Sequence, residues 1–124
     1  MPFKEDVIWL GYLDVMDLSK VIAAAYTLVY ASLFEGFGVP VMEALQSGVP
    51  VITSEHSSME EITGRKALFV NPEDPASIAE KMMLIYKDET LRNELIKQGM
   101  ERAGTFSWDQ TAALLWKCME KSMR

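Results

Sequence analysis

Ser32-Leu33-Phe34-Glu35-Gly36-Phe37-Gly38-Val39-Pro40-Val41-Met42-Glu43-Ala44 is the stretch of this chain whose residue types and order could do chemistry. Gly36 and Gly38 let the backbone approach a ligand with no Cβ in the way. Pro40 opens a helix, and the unpaired N–H groups and positive dipole end of such a terminus favour an anion. Glu43 stands about one turn into that helix, and helical side chains lean toward the N-terminus, so its carboxylate reaches back toward the same place. Glu35 precedes the glycines on the loop. The chemistry implied is one pocket with an anion site flanked by two carboxylates. Carboxylates accept well from sugar hydroxyls but repel a bare phosphate, so a phosphorylated sugar suits the pair better. On residue chemistry alone a bland alternative stays open. Gly-x-Gly before a helix is common, and acidic residues favour helix N-termini for dipole reasons.

The elements that must position these residues follow from hydrophobic period. Val7-Ile8-Trp9-Leu10, closed by Gly11, reads as a buried strand, and Asp14 to Ala25 carries Val15, Leu18, Ile22 and Ala25 at helical spacing. Thr27–Tyr30 reads as a second strand, Ala31–Gly38 as a loop, and the helix opened by Pro40 ends at Gly48. Val49–Thr53 is a third strand. Ser54–Ser58 leads to a helical turn around Glu60-Glu61-Ile62, and Ala67–Val70 is a fourth strand. Asp74-Pro75 caps a helix carrying Ile78, Met82 and Ile85, and Asp88 caps one carrying Leu91, Leu95 and Met100. Ser107-Trp108-Asp109-Gln110 has the form of a capping box before a last helix with Ala112, Leu115, Trp116 and Met119 on one face. Strand–helix alternation with near-continuous apolar strands predicts an α/β parallel sheet covered on both faces. Ligands of such sheets bind at the carboxyl ends of strands, where the Ala31–Gly38 loop lies.

Composition removes several function classes. The chain has 124 residues with 18 acidic and 12 basic side chains, a net charge of −6, and no basic cluster with interleaved aromatics that would suit nucleic acid. One His and one Cys without a CxxC pair make a zinc site a poor fit, so no metal ligand set is expected. Cys118 has no internal disulfide partner, which fits a reducing cytosol. The first residues, Met1 to Asp6, lack the basic-then-apolar pattern of a secretory signal, and no apolar run reaches the roughly 18 residues that cross a bilayer.

The segment Ser32–Ala44, followed by Gly48-Val49-Pro50-Val51-Ile52-Thr53, resembles the signature of the retaining glycosyltransferases of family 4. Their C-terminal domain carries Pro-Ser-x-x-Glu-Gly-Phe-Gly-x-Pro-x-x-Glu-Ala. Further matches in order and spacing are Val7–Leu13, Ser57-Ser58-Met59-Glu60-Glu61 with Gly64, Phe69-Val70-Asn71-Pro72 and Phe106-Ser107-Trp108. Ala31 and Glu60 stand where the family usually has Pro. The resemblance implies a partial Rossmann-like α/β parallel sheet of about four strands with flanking helices and a C-terminal helical segment. Residues 1–124 would form a single domain, part of the GT-B C-terminal domain. It implies that Glu35 touches hydroxyls of the donor sugar near the reacting carbon. Main-chain N–H groups of Gly36, Phe37, Gly38 and Val39 would hold the sugar and diphosphate, Glu43 would bind the ribose hydroxyls, and Tyr12 and Leu13 would lie against the base. No cofactor or metal is implied, because the nucleotide-sugar is the substrate.

The same resemblance places the family's basic Arg/Lys pair and its acceptor domain before the point where this chain starts. The expected function is therefore donor binding within a hexosyltransferase whose sugar or lipid acceptor is held by a missing N-terminal domain, with no transfer by the chain alone. The rival readings are a stand-alone nucleotide-sugar-binding module and a degenerate remnant. The expected location is cytoplasmic, or peripheral at the inner face of a membrane for a longer enzyme. His56 reads as a polar loop residue, Trp108 and Trp116 as packing residues, Glu60 and Glu61 as members of a solvated turn, and Cys118 as a small apolar residue of the last helix. By the family's strand order 3-2-1-4-5-6, Val7–Leu10 lacks its neighbours and must re-pair beside Thr27–Tyr30 or stay exposed. An open strand edge and an uncovered Leu115–Trp116 face would favour self-association.

Overall fold

The computed structural model, which describes residues 3–123, is an α/β arrangement built around a three-stranded parallel sheet. After a single 3-10 turn at Lys4–Asp6 come α1 (Val15–Ala24), β1 (Leu28–Tyr30), α2 (Val39–Gln46), β2 (Val51–Ser54), α3 (Ser58–Thr63), β3 (Leu68–Val70), α4 (Pro75–Lys87), α5 (Glu89–Ala103) and α6 (Trp108–Ser122). The strands lie in the order β1-β2-β3, with Val29 beside Ile52 and Thr53 beside Phe69. The helix starts are those the sequence marks. Asp14, Asp74, Asp88 and Ser107 each accept a bond from a backbone N–H of the first turn, at 2.9–3.1 Å. Only half of the expected capping box forms at Ser107: its hydroxyl accepts from Gln110 N–H, and no return bond from the Gln110 side chain is present among the described residues.

β2 is buried at all four positions and divides the core in two. Val51 joins Val41, Leu45, Met59 and Ile62 on the face covered by α2 and α3, with Ile22 of α1 at its margin. Ile52 joins Val70, Ile85 and Leu95 on the face covered by α4 and α5. This is the two-sided coverage that continuous apolar strands require. α5 serves both halves, since Leu95 lies in one cluster and Ala103 in the other. It approaches α2 closely at Gly99, where an added Cβ would stand 2.9 Å from Leu45 Cδ2. Arg102, also on α5, donates through Nε to the Ile62 carbonyl at 2.9 Å and through Nη2 to the Glu61 carbonyl at 2.6 Å, supplying partners for the end of α3.

The first expected strand, Val7–Leu10, does not form. These residues are coil and exposed, Trp9 by 92%. A strand is stable only when a neighbour takes its N–H and C=O groups, and no element brings one to this segment. The outer edge of β1 is likewise without a strand. Trp108 and Trp116 do not act as packing residues: they are 87% and 59% exposed, and α6 buries none of its residues. Cys118 is exposed on the same helix. Met1 and Pro2 of the expected non-signal N-terminus lie outside the described residues.

An open β1 edge beside uncovered apolar residues on α1, α6 and the Val7–Leu10 segment should make the chain associate with itself. Added salt should strengthen that association, because it screens the repulsion between copies of charge −6. Sedimentation velocity at low and high ionic strength is the check. A monomer at every concentration and salt level would contradict it.

Candidate functional site

β1 ends at Tyr30, and the chain leaves the sheet through Ala31–Gly38 before entering α2. Three hydroxyls tie the carbonyls of this loop to neighbouring elements. Thr53 Oγ1 donates to the Tyr30 carbonyl at 2.8 Å, Ser54 Oγ to that of Ser32, and Ser58 Oγ to that of Glu35 at 2.7 Å. The loop's donors are left differently. The N–H groups of Gly36, Phe37, Gly38 and Val39 have no acceptor among the described residues. Carbonyls held inward and N–H groups left unpaired make a loop that offers positive partial charge to a ligand.

The helix itself contributes less than its sequence suggests. Pro40 has no N–H, and those of Val41 and Met42 both turn back to the Gly38 carbonyl at 3.0 and 3.4 Å. Val39 is therefore the sole free donor of the first turn, and the other three belong to the loop. The two glycines also differ. Gly38 is the N-cap of α2 at φ +80°, is buried, and an added Cβ would lie 2.6 Å from both Sδ and Cε of Met59. Gly36 is exposed, and nothing stands within 4 Å of the Cβ it lacks. Glycine at 38 answers to packing and backbone angle; the open space at 36 is available to a ligand.

Glu35 is half-buried. Its Oε1 accepts from Tyr30 Oη at 2.6 Å; the single Ser32 hydroxyl proton is shared between that oxygen, at 3.2 Å, and the Phe34 carbonyl, at 3.1 Å. The carboxylate in turn holds the Tyr30 proton. The hydrogen bond to Glu35 first, then burial, then the negative charge of Glu35 raise the Tyr30 phenol from 10.0 to about 12. A cavity of about 390 Å³ opens beside this group, lined by Leu33, Phe34, Glu35, His56, Ser57, Ser58 and Glu60. His56 sits on its wall at φ +52°, with its N–H donating to Glu60 Oε1 at 2.8 Å, and Glu60 Oε2 pairs with Arg65 at 3.3 Å. Glu60 is thus a ligand of its own loop rather than only a member of a solvated turn; Glu61 is exposed, as expected. No Lys or Arg lines the cavity.

Of the expected site residues Glu35 alone lines this cavity; Gly36, Phe37, Gly38 and Val39 follow it in the chain but are not on the wall. Val39 is exposed, and the exposed Phe37 packs edge-on against Phe106, with ring centres 6.3 Å apart. Glu43 is half-buried on α2, its carboxylate has no hydrogen bond or ion pair among the described residues, and it does not line the cavity. Leu13 is half-buried and Tyr12 is 98% exposed; neither lines the cavity. The sequence reading missed Tyr30 and gave no role to Ser54 or Ser58. A tyrosine at the last position of a strand, five residues before the loop glutamate, was the available signal for the first. The serines became legible only with the parallel register of β1 on β2.

The chain is similar to known proteins over most of its length. A family model described as glycosyl transferases group 1 matches residues 2–102. O-antigen chain mannosyltransferase B of Escherichia coli is 34% identical over 121 residues, covering 86% of this chain and 32% of that protein. Among solved structures, sucrose-phosphate synthase from Thermosynechococcus elongatus superposes with a TM-score of 0.84 at 27% identity, over 97% of this chain and 31% of its own. The C-terminal domain of the group 1 glycosyl transferase LpcC from Francisella tularensis gives a TM-score of 0.72 at 28% identity, over 82% of this chain and 54% of its own. The chain spans about a third of the length of the E. coli relative.

The asymmetry between the glycines gives paired outcomes. Gly38→Ala should lower stability by about 1–3 kcal/mol, through left-handed strain and displacement of Met59. Gly36→Ala should leave it within about 0.5 kcal/mol. Urea denaturation of both variants measures the difference, and equal losses would contradict the division of roles. The Tyr30 bond has its own pH signature. A pKa raised in the folded state means that the stabilisation is fully present below pH 10.0 and is lost as pH rises toward about 12. Tyrosinate absorbance should show Tyr30 titrating late in the native protein and earlier in Glu35→Gln.

Proposed function

The chain belongs to the group 1 glycosyl transferases, and from that premise we propose that it forms the donor-binding half-site of a hexosyltransferase. The proposed reaction is retaining transfer from a nucleoside diphosphate sugar, in a GT-B enzyme of family 4 type. The observation that carries this reading is the pairing of four free N–H groups, Gly36 to Val39, with a carboxylate, Glu35, that is braced on one oxygen. Such a pair suits a ligand that is anionic at one point and hydroxylated at the next. The O-antigen relative is named as a mannosyltransferase, so a hexosyl donor is the class to test first.

In this scheme Glu35 accepts from hydroxyls of the donor sugar, and the loop N–H groups of Gly36, Phe37, Gly38 and Val39 face the diphosphate. Charge that grows on the departing diphosphate is met by those oriented dipoles, which need no reorganisation during the reaction. The scheme requires no metal. Glu43 takes the ribose hydroxyls, and Tyr12 and Leu13 approach the base once the N-terminal segment is supported by neighbouring strands. Since no basic side chain lines the cavity, the cationic part of the site comes from outside these residues, as does the part that holds the sugar or lipid acceptor. No helix of the described residues is long and apolar enough to cross a membrane. The proposed place of work is the cytoplasm or the inner face of a membrane.

Titration with UDP-glucose and GDP-mannose, each against its free nucleoside diphosphate, should move the amide resonances of Gly36, Gly38 and Glu43 before others. Affinity should be weak, about 1 mM or roughly 4 kcal/mol, because the cationic part is lacking. Glu43→Ala should weaken nucleotide and nucleotide-sugar alike, and Glu35→Ala the sugar-bearing ligands alone. Absence of any shift at saturating ligand would defeat the half-site reading. Micromolar binding by the chain alone would favour a free-standing nucleotide-sugar-binding module.

A further inference from the structure

We propose that Tyr30 is a positioning residue for Glu35: its hydroxyl fixes one carboxylate oxygen so that the other is presented to a ligand hydroxyl. The proposal rests on the donor-site reading for the identity of that ligand, while the positioning itself is a property of the chain.

Every described donor to the Glu35 carboxylate goes to the same oxygen. Tyr30 Oη donates to Oε1 at 2.6 Å and Ser32 Oγ reaches Oε1 at 3.2 Å; Oε2 has no partner among the described residues. A carboxylate can accept about four hydrogen bonds, so half of its capacity is held and half is open. Both ends of the residue are fixed as well. Ser58 Oγ donates to the Glu35 carbonyl at 2.7 Å, which anchors the main chain, and Tyr30 anchors the side chain. Tyr30 is itself well held: its ring packs against the core cluster of α2 and α3 and lies beneath Gly38, 3.9 Å from the position of the missing Cβ. The same aromatic thus supports the glycine loop and sets the carboxylate beside it.

A glutamate on a loop has three side-chain torsions, and freezing them on binding would subtract from affinity. A rigid tyrosine that freezes them beforehand removes that loss. The Tyr30 phenol keeps its proton far above neutral pH, so the donor is present under all ordinary conditions. This separates a positioning role from general acid chemistry, for which such a phenol is badly matched.

Tyr30→Phe keeps the ring and deletes only the hydroxyl. In this chain it should shift the Glu35 carboxyl carbon resonance with no ligand present. It should lower affinity for UDP-glucose or GDP-mannose by about 5-fold while leaving UDP or GDP unchanged. In a Glu35→Ala background it should have no further effect, since residues acting through one another are not additive. Glu35→Gln, which keeps the shape but weakens the acceptor, should reproduce the sugar-specific loss. Equal loss for both ligand types, or additive effects in the double variant, would overturn the proposal. If the unaltered chain binds neither ligand, the donor-site reading falls by itself. An unmoved Glu35 carboxyl resonance in Tyr30→Phe then overturns the positioning as well, and a moved one upholds it.

Discussion

Three hydroxyl-to-carbonyl bonds, from Thr53, Ser54 and Ser58 to Tyr30, Ser32 and Glu35, hold the glycine loop to the sheet, and the site depends on them. A loop beyond a strand end has no ladder to satisfy its main chain, so its polar groups must find other partners or stay in water. Here the carbonyls of Tyr30, Ser32 and Glu35 are taken by side chains of β2 and α3, and the N–H groups of Gly36 to Val39 remain. That division, rather than the glycines alone, turns the loop into a donor surface. It also explains why β2 ends in Thr-Ser although it is wholly buried. Both hydroxyls are spent on the neighbouring loop, so two polar residues sit in the interior at no unsatisfied cost.

Much of the fold was legible in the sequence because its signals are local. Asp74, Asp88 and Ser107 were readable as caps from position alone, and each accepts the expected bond; Asp14, readable as a helix start, accepts one too. Three strands were readable from short apolar runs, one of them rich in β-branched residues. Val7–Leu10 carries the same texture and fails, since texture records a preference and pairing requires a partner in space. The last helix shows the same divide. Its apolar face was readable, but whether anything covers Trp108 and Trp116 is a tertiary fact.

The site was legible in part for the same reason. Glu35, Gly36 and Gly38 stand out by type and spacing, yet their roles separate only in three dimensions. The backbone of Gly38 takes a left-handed angle against buried Met59, and Gly36 stands in open space. Glu43 shares the helix but not the cavity wall. Tyr30 could not be assigned from spacing, because the four loop residues between it and Glu35 have no fixed period. Ser54 and Ser58 lie more than twenty residues from the groups they hold. Only the parallel register of β1 on β2 brings them together.

Charge is the remaining constraint. A chain of −6 repels a diphosphate at long range, and of the two carboxylates on the cavity wall Glu60 is paired with Arg65 while Glu35 has no cation beside it among the described residues. Attraction has to come at contact distance, where main-chain dipoles act over a few ångströms and salt has little effect. The two ranges have opposite signs, and that sorts ligands. A bare phosphate would gain from the N–H groups but meet the unpaired charge of Glu35. A diphosphate carrying a sugar gains from the N–H groups and also places hydroxyls where a carboxylate oxygen is open. On the proposed donor-site reading, acidity near an anion site, which looks self-defeating when charges are merely counted, would select for the sugar-bearing ligand. The fixed geometry of Glu35 would make that selection available, because a mobile carboxylate would contribute its repulsion without a directed acceptor.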